Sequence, residues 1–257
     1  MLEVADSLIK ADGFNHLAGI VILAGGASKR MGSSKAELIL PTGERLLDYH
    51  ARQALELSAA MMSNMPIMLA DNGRGFSVNA DLIKSSKSSI FHIRDYLSAN
   101  ALSSKNISGK NLSNKDGESI ETGGALVAIE AALQSLASSN QLTKDANWQQ
   151  SWLLVISCDS LIPVTDLWQK LQPYITQAAD KSVICLTDDS HLYPLLGLYR
   201  LSIEPDLKRY IDDGQRQVMK FIKPIVQPVA FVKKWQNLTN FNTPKDFARA
   251  CLALNNL

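Results

Sequence analysis

The chain has 257 residues, 46% of them apolar and 20% charged, with a formal net charge of +1. That balance excludes a disordered or collagen-like chain, and the near-neutral charge excludes a global field able to draw the molecule onto nucleic acid or anionic lipid. Phosphate recognition must therefore be local. With three scattered cysteines and no uncharged apolar stretch of bilayer length, the expectation is a soluble protein of the reducing cytoplasm, with neither nucleic-acid nor membrane partners.

Residues 1–18 read as an N-terminal extension, since Met1 to Phe14 carries Glu3, Asp6, Lys10 and Asp12 and lacks the apolar run of a signal peptide. Residues 19–257 read as a single domain. Gly19-Ile20-Val21-Ile22-Leu23 is a short apolar run ending at Gly25-Gly26, the pattern of a strand buried on both faces. Leu46 to Ala60 has apolar residues at helical spacing. Pro66 to Ala70 and Ser89 to Ile93 are two further strand candidates, the second stopping at Arg94-Asp95. Ser98 to Ser119 is dominated by Ser, Asn, Lys and Gly, and reads as a flexible surface insertion without regular structure. Ala125 to Leu136 is predicted helical, Trp152 to Ser157 a strand closed by Cys158-Asp159, Leu167 to Ala179 a helix, and Ser182 to Leu186 a strand. Strands alternating with helices predict an α/β domain with right-handed βαβ crossovers and a mostly parallel sheet. Ligands of such sheets bind beyond the carboxyl ends of the strands, which directs attention to Gly25-Gly26, Asp71-Asn72, Asp95 and Asp159.

The string Leu23-Ala24-Gly25-Gly26-Ala27-Ser28-Lys29-Arg30-Met31-Gly32-Ser33-Ser34-Lys35 carries the most chemistry. Paired glycines after a strand let successive backbone N–H groups point at one anion. Ser28 adds a hydroxyl, Arg30 a planar fork suited to phosphate, and Lys35 a compact point charge, the set a triphosphate requires. The spacing matches neither GxxxxGK[ST] nor GxGxxG, which disfavours a P-loop ATPase and a Rossmann dehydrogenase. Asp159, ending an apolar strand, is placed either to hold Mg2+ beside a triphosphate or to cap the following segment. Thr243-Pro244 predicts an N-cap with proline at the first helical position. Asn240 and Asn242 just before it are spaced to share one face of an extended strand. Arg216 and Lys220, four residues apart, predict one helical face, read either as a solvated basic surface or as an anion site for a second substrate. His191 reads as a loop histidine with no proton-transfer role.

Taken in order, the loop, Cys158 to Pro163, Tyr193 to Arg200, Gly214 to Phe221 and Asn240 to Pro244 resemble the molybdenum cofactor guanylyltransferases, of the Rossmann-like nucleotidyltransferases. The resemblance runs from Gly19 to the C-terminus apart from the insertion, and it implies a Rossmann-like three-layer fold. It implies GTP and the molybdopterin cofactor as substrates, Mg2+ as the metal, and molybdenum-insertion proteins and molybdoenzyme chaperones as partners. Leu23, Ala24, Gly25 and Gly26 would then hold the nucleotide through backbone groups. Arg30 would face the leaving phosphates, Lys35 would stabilise charge near the α-phosphate, and Asp159 would hold Mg2+. Asp95 would contact the nucleotide, while Asn240, Asn242 and Arg216 would serve the second substrate. Three departures stand out. Ser34 replaces the usual Asp before the loop lysine, Ala70 replaces the Asn after the second strand, and Thr122-Gly123-Gly124-Ala125-Leu126 stands for Gly-Pro-Leu-x-Gly. A cytidylyltransferase, or an accessory protein that keeps the fold without transfer, are the other readings of these strings.

Overall fold

Apolar runs without alternation need cover on both faces, and the chain supplies it by laying helices on either side of one sheet. The computed structural model describes residues 17–26, 28, 30–97, 124–143, 148–178, 180–188 and 190–255. The expected insertion at about 98–119 lies outside them, as do residues 1–16, Ala27, Lys29, Thr122 and Gly123. In chain order the strands and α-helices are β1 (Leu17–Leu23), α1 (Leu46–Ala60), β2 (Ile67–Ala70), α2 (Ala80–Lys84), β3 (Ile90–Ile93), α3 (Ala125–Thr143) and β4 (Trp152–Ser157). There follow α4 (Val164–Leu171), α5 (Tyr174–Gln177), β5 (Val183–Thr187), β6 (Leu192–Arg200), α6 (Glu204–Asp212), α7 (Val218–Ile222), β7 (Val226–Ala230) and α8 (Pro244–Leu254).

The strands form one seven-stranded sheet in the order β3-β2-β1-β4-β6-β5-β7. β6 alone runs against its neighbours; the pairs β1–β2, β1–β4, β2–β3 and β5–β7 are parallel. The three-layer, mostly parallel α/β expectation is therefore met. Alternate residues of each central strand enter opposite halves of the core. Ile20, Ile22, Leu154 and Ile156 pack with Leu46 and Leu47 of α1, Leu167 of α4 and Ala250 of α8. Val21, Leu153 and Val155 pack with Leu126, Ile129 and Leu133 of α3, Leu207 of α6 and Ile222 of α7.

Three local expectations need correction. β1 begins at Leu17, and Leu17 and Ala18 are buried, so the sheet starts before residue 19. The single helix expected over Leu167–Ala179 is two, α4 and α5, because Pro173 has no N–H to donate and its ring crowds the preceding turn. β6 and β7 went unpredicted, β7 because it carries Pro228 in its middle and lies at the sheet edge, where a missing donor is tolerated.

The register places the site. Leu23 lies level with Ala70 and with Ser157, and Ala70 with Ile93, so four parallel strands end along one line. The Gly25 loop, Asp71-Asn72, Asp95 and Asp159 all follow that line. On the other side of β4 the sheet opens. Pairing between β4 and β6 stops at Val155–Gly197, and β5 steps from Gly197 to Tyr193 between Cys185 and Leu186. Pro194, Leu195 and Leu196 therefore bulge away beside the free end of β4.

Candidate active site

A cavity of about 340 Å3 occupies this end of the sheet. Its walls come from the loop after β1, the ends of β2, β3 and β4, the start of α3, Leu195 of the β6 bulge, and Asn242. The loop folds around Ser28, which is in the left-handed region at φ 47°. Its carbonyl accepts from the Met31 N–H at 2.9 Å, and its hydroxyl oxygen accepts from the Lys35 N–H at 3.3 Å. Met31 is buried in the core, so the loop is pinned at its centre while Gly25, Gly26 and Arg30 line the cavity. Among the described residues neither the Gly25 nor the Gly26 N–H donates to protein, which leaves both for an anion. Gly25 also lets the β2 turn come close, since a Cβ there would stand 2.9 Å from the Cβ of Asn72.

Lys35 is the centre of the arrangement. Its Nζ donates to Asn242 Oδ1 at 2.9 Å, lies 3.6 Å from Asp159 Oδ2, and sits 5.7 Å from the centroid of the buried Phe241 ring. Its side chain is 14% exposed and that of Asp159 28%, so the ammonium is largely sheltered while the carboxylate still opens to the cavity. Ser34, just before it, is neutral, and its hydroxyl oxygen is buried with no partner among the described residues. Lys35 thus has no adjacent carboxylate of the loop to answer to. Arg30 is exposed at the rim, with no protein partner among the described residues.

The C-terminal segment is tied to the end of β4. Ser160 bridges to Thr239, and the Leu161 N–H donates to Leu238 O at 2.7 Å. The expected N-cap is present: Thr243 Oγ1 accepts from the Asp246 N–H at 3.2 Å, and Asp246 Oδ2 accepts from the Thr243 N–H at 3.2 Å. This capping box fixes Asn242 against Lys35. The shared extended face expected for Asn240 and Asn242 is absent. Asn240 has φ 54° and is exposed, contributing only its carbonyl, which accepts from Asn242 Nδ2 at 3.2 Å.

At the opposite wall stand Ala70, Asn72, Asp95, Gly124, Ala125 and Ala128. Asp95 is half-buried, and burial, followed by the charge of Asp71, holds its carboxyl above the usual range. Asp71 itself is turned inward. It accepts from the Gly73 and Phe76 N–H groups at 3.0 and 2.9 Å and lies 3.2 Å from His92 Nδ1, bracing the turn that presents Asn72 to the cavity. Cys158 lines the floor but is buried, and its thiol is pushed up to about 12 by that burial and then by Asp159. It is no nucleophile.

The structure therefore gathers Leu23, Ala24, Gly25, Gly26, Arg30, Lys35, Asp95, Asp159 and Asn242 around one cavity, and leaves Asn240 and Arg216 off its walls. Arg216 lies before α7, so the helical face expected for Arg216 and Lys220 does not form; its guanidinium donates to Ile211 O and Gln215 O at 2.6 and 2.7 Å. His191 is an exposed loop residue beside Ser190 and Asp188. Asn72 and Leu195 are wall residues that went unassigned. Asn72 follows a predicted strand end and was legible as such, whereas Leu195 depends on the β6 bulge.

A triphosphate brings more negative charge than Arg30 and Lys35 can neutralise. The donors present suit Mg2+, which favours one or two carboxylates with phosphate oxygens and water completing its octahedron. Asp159 offers such a carboxylate facing the cavity, and no cluster of three or more metal-binding side chains stands anywhere among the described residues. No helix among them is long and apolar enough to cross a membrane.

Residues 20–72 match the family described as the MobA-like NTP transferase domain, a span holding most of β1, the glycine loop, Lys35 and β2. Among solved structures, molybdopterin-guanine dinucleotide biosynthesis protein A from Archaeoglobus fulgidus is 17% identical, with a TM-score of 0.56 over 93% of this chain and 100% of that one. A 4-diphosphocytidyl-2C-methyl-D-erythritol synthase from Anaerococcus prevotii is 10% identical, with a TM-score of 0.51 over 94% and 99% of the two chains. HddC from Yersinia pseudotuberculosis is 13% identical, with a TM-score of 0.50 over 92% and 99%. The chain thus has a nucleotidyltransferase-like α/β fold, and the resemblance drawn from its motifs to the molybdenum cofactor guanylyltransferases is supported.

Proposed function

We propose that the chain transfers the GMP moiety of GTP to the terminal phosphate of molybdopterin, releasing pyrophosphate. The observation that carries this reading is the convergence of Lys35, Asp159 and Asn242 in the cavity that also holds the glycine loop and Arg30. The loop amides and Arg30 take the β- and γ-phosphates. Lys35 takes the α-phosphate, and Asp159 would hold the Mg2+ carried by the nucleotide. When bound, the metal neutralises charge on the phosphates. An oxygen of the acceptor phosphate forms the new bond to the α-phosphorus as the bond from that phosphorus to the bridging oxygen of pyrophosphate breaks. The acceptor is already ionised, so no general base is required, in keeping with a cavity whose titratable groups are carboxylates, cations and the buried thiol of Cys158. Catalysis is then positioning plus charge stabilisation. Asn242 contributes by fixing Lys35, and the second substrate enters beside it, past Leu195.

Guanine is the base favoured by the motif resemblance, with Asp95 and Asn72 facing it. The test is pyrophosphate release with each of the four nucleoside triphosphates, with and without molybdopterin. Release with GTP alone among the four, and only when molybdopterin is present, is expected. Release with CTP instead would replace the guanylyl reading by a cytidylyl one, and no release with any nucleotide would point to a protein that keeps the fold without transfer.

A further inference from the structure

The stretch Gly214-Gln215-Arg216-Gln217-Val218-Met219-Lys220-Phe221 has no place in the cavity, yet the side chains of Gln215, Arg216 and Lys220 are all engaged. The Gly214 N–H donates to Ile211 O at 2.9 Å and the Gln215 N–H to Tyr210 O at 3.1 Å, the paired bonds that close a helix C-terminus. Arg216 adds its bonds to Ile211 O and Gln215 O, placing a cation on the negative end of α6. Tyr210 Oη donates to Gln217 O at 3.1 Å, and Lys220 Nζ to Gln215 Oε1 at 3.1 Å. The whole string is folded back on the last turn of α6.

That turn carries Asp212, which bonds the residue next to the cavity-lining Asp95. Asp212 Oδ1 accepts from Tyr96 Oη at 2.8 Å, and Asp212 Oδ2 accepts from Lys208 Nζ at 2.7 Å. Lys208 Nζ also lies 5.5 Å from the centroid of the Tyr96 ring. Tyr96 is the residue after Asp95, and its N–H donates to Val127 O at 3.2 Å in the first turn of α3, whose Ala125 and Ala128 line the same wall. Tyr96 therefore fastens Asp95 to α3 through its backbone and to α6 through its hydroxyl.

We infer that Tyr96 and Asp212 are positioning residues for the nucleotide, and that the Gly214–Phe221 string acts on the nucleotide wall through them rather than binding the second substrate. The inference rests on the proposed nucleotidyl transfer, and it deepens that reading by linking a distant helix end to Asp95. A wall held this way sets how the base is gripped and leaves Lys35 and Asp159, on the far side of the cavity, untouched.

The experiment is calorimetric titration of Mg·GTP into the wild-type chain and into Tyr96→Phe, Asp212→Asn, the double variant and Arg216→Ala, with steady-state kinetics and melting temperatures in parallel. Tyr96→Phe removes one hydroxyl, and its Kd and KM for GTP are expected to rise about five- to tenfold, as for one lost charge-assisted hydrogen bond. Its kcat, its KM for molybdopterin and its melting temperature are expected to stay within twofold or about a degree of wild type. The double variant should lose no more than Asp212→Asn alone, because the Tyr96 hydroxyl acts through Asp212. Arg216→Ala should weaken GTP in the same sense. Wild-type binding of Mg·GTP with unchanged affinity in Tyr96→Phe overturns the positioning role while leaving the transfer reading intact. A rise confined to the KM for molybdopterin in Arg216→Ala restores that residue to the second-substrate side and overturns the inference. Failure of the wild-type chain to bind any nucleoside triphosphate overturns the transfer reading and this inference together.

Discussion

Lys35 is held by three different kinds of neighbour: a hydrogen-bond acceptor in Asn242, a carboxylate in Asp159 and the face of Phe241. On the proposed reading the phosphates of a nucleotide compete for the same ammonium, so the contacts to protein set the point from which Lys35 moves. Lys35→Ala should lower kcat about 10^2- to 10^3-fold with a smaller effect on nucleotide KM, because its charge is needed most as the α-phosphorus reacts. Asn242→Ala, which leaves the charge but frees its position, should lower kcat about tenfold. Equal losses in the two variants, measured by pyrophosphate release, would show that Asn242 does more than orient Lys35. The gathering of Lys35 and Asp159 at one cavity was legible in the sequence, because one lies in the loop after an apolar strand and the other just beyond the end of another. The Lys35–Asn242 pairing was not, since it joins positions 207 apart and depends on a cap 3.2 Å long at Thr243. A second residue, Glu130 on α3, is wholly buried, and burial followed by the charge of Glu204 pushes its carboxyl up to about 9. Gln134, which donates to it at 3.0 Å, and Lys208 on α6 pull the other way. With the folded value raised above the ordinary 4.5, the native state binds the proton more tightly. Stability is therefore full below the ordinary value and is lost as pH rises toward the folded one. Glu130→Gln should melt with the wild type near pH 4.5 and at least about 5 °C above it at pH 8, followed by circular dichroism.

Elements differ in how openly the chain declares them. β1, β2 and β4 are buried along almost their whole length, and such strands must be written as continuous apolar runs. β6 is half-buried at its start and fully buried at Gly197–Tyr199, so neither alternation nor a clean apolar run announces it. Its reversed direction is a property of pairing, which local pattern does not encode. Gly197 is where that pairing is tightest. A Cβ there would stand 2.7 Å from Ile184 O and 2.8 Å from Cys185 Cβ, both on β5. Neither backbone nor Cβ atoms can swing aside, so Gly197→Ala must push β5 and β6 apart just where the bulge toward Leu195 begins. The expected cost is about 2–3 kcal/mol of stability, read as a lower midpoint in urea denaturation. Because the bulge shapes the cavity wall opposite Asp95, the same variant should raise the KM for the second substrate more than that for the nucleotide. A variant as stable as wild type would mean that β5 and β6 can separate here without loss. The basic pair Arg216 and Lys220 illustrates the converse failure of local reading. A spacing of four suggests one helical face, but Gly214 and Gln215 close α6 first, and α7 begins only at Val218.

Across the whole molecule, the site is assembled from segments that share no local structure: the loop after β1, the end of β4 and the segment before α8, joined through Lys35. Anything that bridges them stabilises the native state as a whole, because the unfolded chain cannot present them together. A ligand at about 100 times its Kd adds about 2.7 kcal/mol to folding, which in a domain of this size corresponds to roughly 5–10 °C in Tm. The charge arrangement dictates which ligand does so. Arg30 and Lys35 are outweighed by the phosphates, and Asp159 repels them unless a cation stands between. GTP alone is therefore expected to shift Tm by no more than about 1–2 °C, Mg2+ alone by less, and the two together by the full amount. The shift should disappear on adding EDTA and should be cut at least by half in Asp159→Ala. Thermal melts in a two-by-two design of GTP and Mg2+ measure this directly, and they do so without turnover or a second substrate. A full shift with GTP in EDTA would mean that protein cations suffice for the phosphates and that Asp159 has another task. Additive small shifts would mean that nucleotide and metal bind without sharing a site, which the placement of Asp159 at the wall of the same cavity as the glycine loop argues against.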